Sequence, residues 1–296
     1  VSHTRTLRDL VNECRVELER QGVDSPALSA EILAAHALGM RRLDIVVHAN
    51  RELSAEQVAA VRALVSRRAA GEPVAYILGE KEFYGLDFAV SPAVLVPRPE
   101  TELIVEEVER LFSPCDAFTF ADFGTGSGCL AVTIASLFPK ARGIAVDMSA
   151  VALAVAAANA RRHGVADRLC FVRADFGRAV VADGSLDLIV ANPPYVSAAE
   201  YAEVSREVAD HEPHSALVPA VGEGVLSNGL ESVRALAPRA AVALRPGGHL
   251  LMEFGWKQGV AVRDILLSPE GGAFSRAEVR TDLAGLDRYV LADTAE

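Results

Sequence analysis

Asn192-Pro193-Pro194-Tyr195 follows directly on the apolar run Leu186-Asp187-Leu188-Ile189-Val190-Ala191. Two successive prolines have no backbone N–H to donate and hold φ where a strand would otherwise continue. They freeze a short loop that presents the Asn192 amide and the neighbouring backbone carbonyls to whatever lies beyond the strand. An Asn oxygen beside carbonyls that accept nothing is a receptor for a planar NH₂ group, and the Tyr195 ring can pack against that group or the chain carrying it. Taken alone, the tetrapeptide reads first as a plain proline-rich turn after a core strand.

A second group of residues gives it a chemical context. Asp122-Phe123-Gly124-Thr125-Gly126-Ser127-Gly128 ends an apolar strand and opens a helix. Ligands of open α/β sheets bind there, outside the carboxyl ends of the strands. A dinucleotide site calls for G-x-G-x-x-G with a pyrophosphate on the helix N-terminus. Here the spacing is G-x-G-x-G, preceded by a carboxylate that is a poor neighbour for phosphate. S-adenosylmethionine, which carries an ammonium and a sulfonium and no phosphate, suits it better.

Asp147 stands about twenty residues past the glycines, at the end of the next strand, placed to accept from both ribose hydroxyls. Asp175-Phe176, after the third strand, offers an acceptor for an adenine amino group and an aromatic cover for the ring. Singly, each carboxylate reads as a helix cap or a solvated loop residue. Jointly, at the ends of consecutive strands, they define a cofactor pocket.

The elements that must hold these residues follow from periodicity and punctuation. Strand and helix alternate after Pro114, which predicts a parallel, doubly wound sheet of the Rossmann-like kind. Strands are expected over 118–123, 143–147, 169–174, 186–191 and 248–254, with Glu278–Thr281 and Arg288–Leu291 as two final antiparallel strands. Helices should follow Gly128, Ser149 and Leu230, and another should run from Glu100 to about Phe112. The first 70 or so residues read as helical, with Ser25-Pro26 capping one helix and the capping box Ser54-Ala55-Glu56-Gln57 opening another. Residues 74–98, aromatic and β-branched with interspersed Gly, read as a β-hairpin linker. The expected division is therefore a helical domain 1–73, the linker 74–98 and a catalytic domain 99–296.

Composition narrows the function classes. Half of the 296 residues are apolar and the formal charge is −11. Residues 1–73 hold ten basic and ten acidic side chains, so the whole excess of acid lies in residues 74–296. That argues against nucleic acid as direct partner, while the neutral, Arg-containing first part leaves room for a protein. No apolar stretch approaches the ~18 residues of a membrane span. Val1-Ser2-His3-Thr4-Arg5 lacks the basic-then-apolar plan of a signal peptide. Cys14, Cys115, Cys129 and Cys170 are scattered and fit a reducing cytoplasm. With no paired His or Cys spacing, no metal is expected, and the protein is expected to act as a monomer.

The order of these motifs resembles the class I methyltransferases and, more narrowly, the HemK/PrmC family of protein-(glutamine-N5) methyltransferases. The resemblance runs from about Gly71 onward. It is carried by Gly71–Ile77, Phe83-Tyr84-Gly85, Val96-Pro97-Arg98-Pro99-Glu100-Thr101-Glu102, Asn192–Tyr195, His211-Glu212-Pro213 and Glu253-Phe254-Gly255-Trp256-Lys257-Gln258-Gly259. It implies a seven-stranded sheet and a methyl acceptor, the glutamine of the Gly-Gly-Gln loop of class I release factors. It also implies that the helical domain contacts that factor. Asn192 and the Pro193 carbonyl then take the two amide hydrogens, Pro194 locks the loop and Tyr195 packs the substrate. Asp122, Phe123, Gly124, Thr125, Gly126, Gly128, Asp147, Met148, Asp175, Phe176 and Asn192 surround the cofactor.

Phe123, where the family most often has Leu, and Met148, where a β-branched residue is usual, are its mild departures. Arg98 and Thr101 are expected either to wall the mouth of the site or to serve as a surface charge and a helix cap. Three alternatives stay open: a glutamine methyltransferase of a ribosomal protein, an adenine methyltransferase of nucleic acid that grips a flipped base, and a non-catalytic scaffold.

Overall fold

The structure is a computed structural model that describes residues 5–222 and 226–296, so the reading of Val1–Thr4 lies outside the described residues. The chain divides into two compact units. The first comprises the described part of Val1–Glu80 together with Ser205–His211, and the second comprises Lys81–Val204 and Glu212–Glu296.

In the first unit, helices α1 (Leu7–Arg20), α2 (Pro26–Ala37), α3 (Arg42–Val47), α4 (Ala55–Ala69) and α5 (Val74–Leu78) follow one another. Leu7, Leu10, Cys14 and Leu18 recur at helical spacing on α1 and are fully buried against Ala30, Leu33, Val61 and Val65. The Ser54–Gln57 capping box forms as expected. Ser25 does not cap α2. Its backbone is left-handed, φ 51°, and its side chain makes no capping bond. Its carbonyl alone engages the helix, accepting from the Ser29 N–H, and Pro26 starts the helix by its fixed φ.

Tyr76–Gly79, expected in a hairpin, is instead the end of α5 and its stop. Pro73 opens the helix, Gly79 at φ 77° closes it, and Ile77 joins the helical core. Burial overrides the β-propensity of Tyr76 and Ile77. The hairpin proper is shorter, β1 (Glu80–Phe83) and β2 (Leu86–Ala89).

In the second unit, a 3₁₀ turn at Pro99–Thr101 leads into α6 (Glu102–Leu111). The succession then runs β3 (Thr119–Phe123), α7 (Cys129–Leu137), β4 (Arg142–Asp147), α8 (Ala150–Arg162), β5 (Leu169–Arg173) and β6 (Leu186–Ala191). Three short helices follow, α9 (Ala198–Tyr201), α10 (Arg206–His211, part of the first unit) and α11 (His214–Leu217). The remainder is α12 (Glu231–Ala243), β7 (Leu244–Glu253), α13 (Gly259–Leu267), β8 (Arg276–Thr281) and β9 (Asp287–Asp293).

The seven-stranded sheet has the order β5-β4-β3-β6-β7-β9-β8. β3 to β7 are parallel, and β9 pairs antiparallel with both β7 and β8. Every residue of β6 is buried, as its mostly apolar sequence suits a central strand covered on both faces. The strand order reverses between β3 and β6, and a crevice opens at such a switch point.

Candidate active site

The glycine loop leaves β3 at this switch point. Gly124, Gly126 and Gly128 have φ of 78°, 54° and 81°, the left-handed region that glycine enters without a Cβ penalty. At Gly128 a Cβ would stand 3.0 Å from that of Ala156, so glycine also lets α7 pack close to α8. Beside the loop is a cleft of about 570 Å³ lined by Asp122, Gly124–Ser127, Asp147, Met148, Asp175, Phe176, Asn192 and Pro194. Phe123, by contrast, is buried in the hydrophobic core and Gly128 serves the helix packing, so neither lines the cleft.

The carboxylates differ in what they already hold. Asp147 accepts from the Gly126 N–H at 2.9 Å through one oxygen and from the Ser149 N–H at 2.8 Å through the other, which fixes its plane and leaves lone pairs free. Asp175 accepts from the Gly177 N–H at 2.9 Å. Asp122 is buried; its Oδ2 takes the Thr125 hydroxyl at 2.6 Å and the Ala131 N–H at 3.2 Å, while Oδ1 has no hydrogen-bond partner. Burial, with help from the nearby Asp147 charge, pushes the Asp122 carboxyl up to about 7 despite those two bonds.

On the other side of the cleft, β6 delivers Asn192. Its Nδ2 donates to the Thr101 hydroxyl at 3.0 Å, and that hydroxyl donates to Glu253 Oε2 at 2.7 Å. The Tyr195 hydroxyl donates to the other oxygen of Glu253 at 3.1 Å. The Pro194 carbonyl accepts from Ser232 at 2.8 Å, and the Tyr195 carbonyl accepts from Gln258 at 3.0 Å. Among the described residues nothing donates to the Pro193 carbonyl or to Asn192 Oδ1. The tetrapeptide is therefore clamped from three directions while two acceptors stay open.

Thr101 does not cap α6 with its side chain; it lines the cleft, and its hydroxyl accepts from Asn192. Arg98 also lines the cleft, with its guanidinium held at 2.7 Å by the buried Glu212. Glu253, Gln258 and Ser232 were not singled out from the sequence as site residues. The available signal for Glu253 was a carboxylate at the carboxyl end of a central strand, the same signal that marked Asp122 and Asp147.

Comparison with known proteins gives this geometry a family. Residues 9–79 match the PrmC N-terminal domain and residues 99–213 match the methyltransferase small domain. The release factor glutamine methyltransferase of Nitratidesulfovibrio vulgaris is 50% identical over 287 residues, covering 97% of this chain and 95% of that protein. The chain belongs to the release factor glutamine methyltransferase family. Its relative in Moorella thermoacetica is 41% identical, covering 97% of this chain and 98% of its own, and that of Chlorobaculum tepidum is 42% identical with 90% covered on both sides.

As in any methyltransferase of this family the cofactor is S-adenosyl-L-methionine, and the cleft fits it. A buried carboxylate with one orphaned oxygen is completed by a cationic group, and it repels phosphate. Asp147 with oriented free lone pairs suits a diol, and the half-buried Phe176 suits a ring. Among the described residues no cluster of three or more His, Cys, Asp or Glu side chains could hold a metal, and no helix is long and apolar enough to cross a membrane.

Proposed function

We propose that the protein methylates the N5 side-chain nitrogen of the glutamine in the Gly-Gly-Gln loop of class I peptide chain release factors, converting S-adenosyl-L-methionine to S-adenosyl-L-homocysteine. One observation carries the reading at the site: the Asn192 amide is held with its oxygen outward, beside a cleft suited to a cationic cofactor. The names of the relatives support the release factor as substrate.

A glutamine amide nitrogen is a poor nucleophile because its lone pair is delocalised into the carbonyl. When bound, S-adenosylmethionine supplies an electrophilic methyl group. The chain's own contribution is to orient the amide and exclude water. Asn192 Oδ1 and the Pro193 carbonyl each accept one amide hydrogen, fixing the nitrogen's direction and stabilising the positive charge that grows on it. Pro194 and the Ser232 bond stiffen the loop, and the Tyr195 ring packs the substrate. No buried base is required, since the alkylated nitrogen is acidic enough to release its proton to solvent. Asp122, Asp147, Asp175, Phe176 and Met148 hold the cofactor, with Arg98 at the mouth.

In this reading the helical domain contacts the release factor, the β1–β2 hairpin and the segment up to residue 98 link, and 99–296 catalyse, as a monomer in the cytoplasm without nucleic acid as partner. The test is to incubate the protein with S-adenosylmethionine and a purified release factor and examine the Gly-Gly-Gln peptide by mass spectrometry. One added methyl on glutamine is expected. Methylation of a ribosomal protein or an oligonucleotide in parallel samples, with the release factor untouched, would overturn the assignment.

A further inference from the structure

Asn192 can turn either end of its amide to the cleft, and only one end is useful for gripping an NH₂ group. The two orientations differ by a half-turn about the side chain and are nearly isosteric, so something must choose. Thr101 is the only hydrogen-bond partner of the Asn192 side chain among the described residues, and a hydroxyl carries a single proton. Glu253, at the end of β7 and buried, takes that proton at 2.7 Å. The Thr101 oxygen is thereby left as an acceptor, and Asn192 must present Nδ2 to it. The Tyr195 hydroxyl, donating to the second Glu253 oxygen, keeps the carboxylate in the plane that reaches Thr101.

We propose that Glu253 is a positioning residue for catalysis: through the Thr101 hydroxyl it sets the direction of the Asn192 amide, so that Oδ1 faces the substrate. This rests on the role given to Asn192 under the proposed function. With Glu253 protonated the chain of donors can reverse. The carboxylic acid donates to Thr101, Thr101 donates to Asn192 Oδ1, and the amide turns its NH₂ toward the incoming NH₂, where donor meets donor.

The protonation equilibrium is shaped by every group facing the carboxylate. Thr101 and Tyr195 donate to it, Glu100 before α6 repels it, Arg288 on β9 attracts it, and the half-buried Cys129 thiol on α7 lies within electrostatic range. Burial outweighs the favourable contacts and pushes the carboxyl up to about 7. Deprotonation of Glu253 as pH rises therefore favours the direction in which Oδ1 faces the substrate.

Two measurements on the full-length, cofactor-saturated protein test this. The first is kcat on the release factor for Glu253→Met, Thr101→Val and Thr101→Ser. Met offers no acceptor, so the Thr101 proton is free to turn to Asn192 Oδ1, and Val removes the hydroxyl. Both are expected to lower kcat by roughly 10-fold or more, the scale of losing one oriented contact in the transition state, with cofactor affinity within about 2-fold. Thr101→Ser, which keeps the hydroxyl, should retain activity.

The second is the side-chain amide resonance of Asn192 in a ¹⁵N-labelled sample, assigned by its loss in Asn192→Ala. It is expected to move between about pH 6 and about pH 8 in the parent protein and to stay fixed in Glu253→Met. Full activity of Glu253→Met, or the same titration of the Asn192 resonance with and without Glu253, would overturn the proposal. A parent protein that leaves the release factor unmethylated, yet shows the Glu253-dependent titration, would remove the substrate assignment and uphold the relay.

Discussion

Asp122 and Glu253 look alike at first sight. Each ends a central parallel strand at its carboxyl end, each is nearly inaccessible at 1% and 3% exposure, and burial pushes each up to about 7. Their partners separate them. Glu253 has a hydroxyl donor on each oxygen, from Thr101 and from Tyr195. Asp122 has both its donors on one oxygen and nothing on the other, with the Asp147 carboxylate close enough to raise it further. A buried carboxylate that is complete within the fold arranges its neighbours. One that is left incomplete is a socket for a cation, and its cost is offset only when the cation binds.

The two sides of the cleft should therefore fail differently. The largest effect is expected from Asn192→Ala, which removes an acceptor that matters as charge develops: kcat should fall by about 10²–10³. Calorimetry should find cofactor affinity within about 2-fold. A matching loss of cofactor affinity would merge the two sides into one. Asp147→Ala should do the reverse, weakening cofactor binding by about 1–3 kcal/mol for a lost buried acceptor while kcat at saturating cofactor stays near the parent value. Unchanged binding would remove Asp147 from the cofactor side.

How much of this was legible beforehand follows the same divide. The cofactor side was readable because its residues sit at the ends of successive strands, and the strands announce themselves. Leu186–Ala191 is an apolar run, broken only by Asp187 and ended by Asn192 and two prolines, and its limits in the structure are those expected. The Gly loop and Asp147 follow from spacing alone. The other side depends on Thr101, which is 91 residues from Asn192 and 152 from Glu253 in the chain. No periodicity connects residues so far apart, and a Thr beside a helix start reads as a cap before anything else.

The short helices α9 to α11 escaped because four to six residues carry no amphipathic period. Ser25 and Tyr76–Gly79 misled for a related reason. Each gives a local preference only: burial reversed it at Tyr76 and Ile77, while the exposed Ser25 takes a left-handed backbone and its side chain makes no capping bond.

The smallest effect expected is the one that tests the socket idea most directly. Asp122 titrates near 7 in the folded protein and near 3.8 when unfolded. A carboxyl with a raised folded-state pKa is more protonated in the native state than in the unfolded chain, so stability declines as pH rises from about 4 to about 7 and then levels. Asp122→Asn removes the charge and keeps an oxygen for Thr125 and Ala131. Without cofactor it should melt a few °C above the parent at about pH 8, and at nearly the same temperature at about pH 4.

With S-adenosylmethionine the order should reverse at the higher pH, because binding stabilises the native state in proportion to affinity and the variant has lost the anionic partner of a cation. Differential scanning calorimetry at the two pH values, with and without cofactor, reads all of this. A variant that melts below the parent at pH 8 without cofactor would mean that the buried charge is already compensated within the fold, and the contrast with Glu253 would vanish.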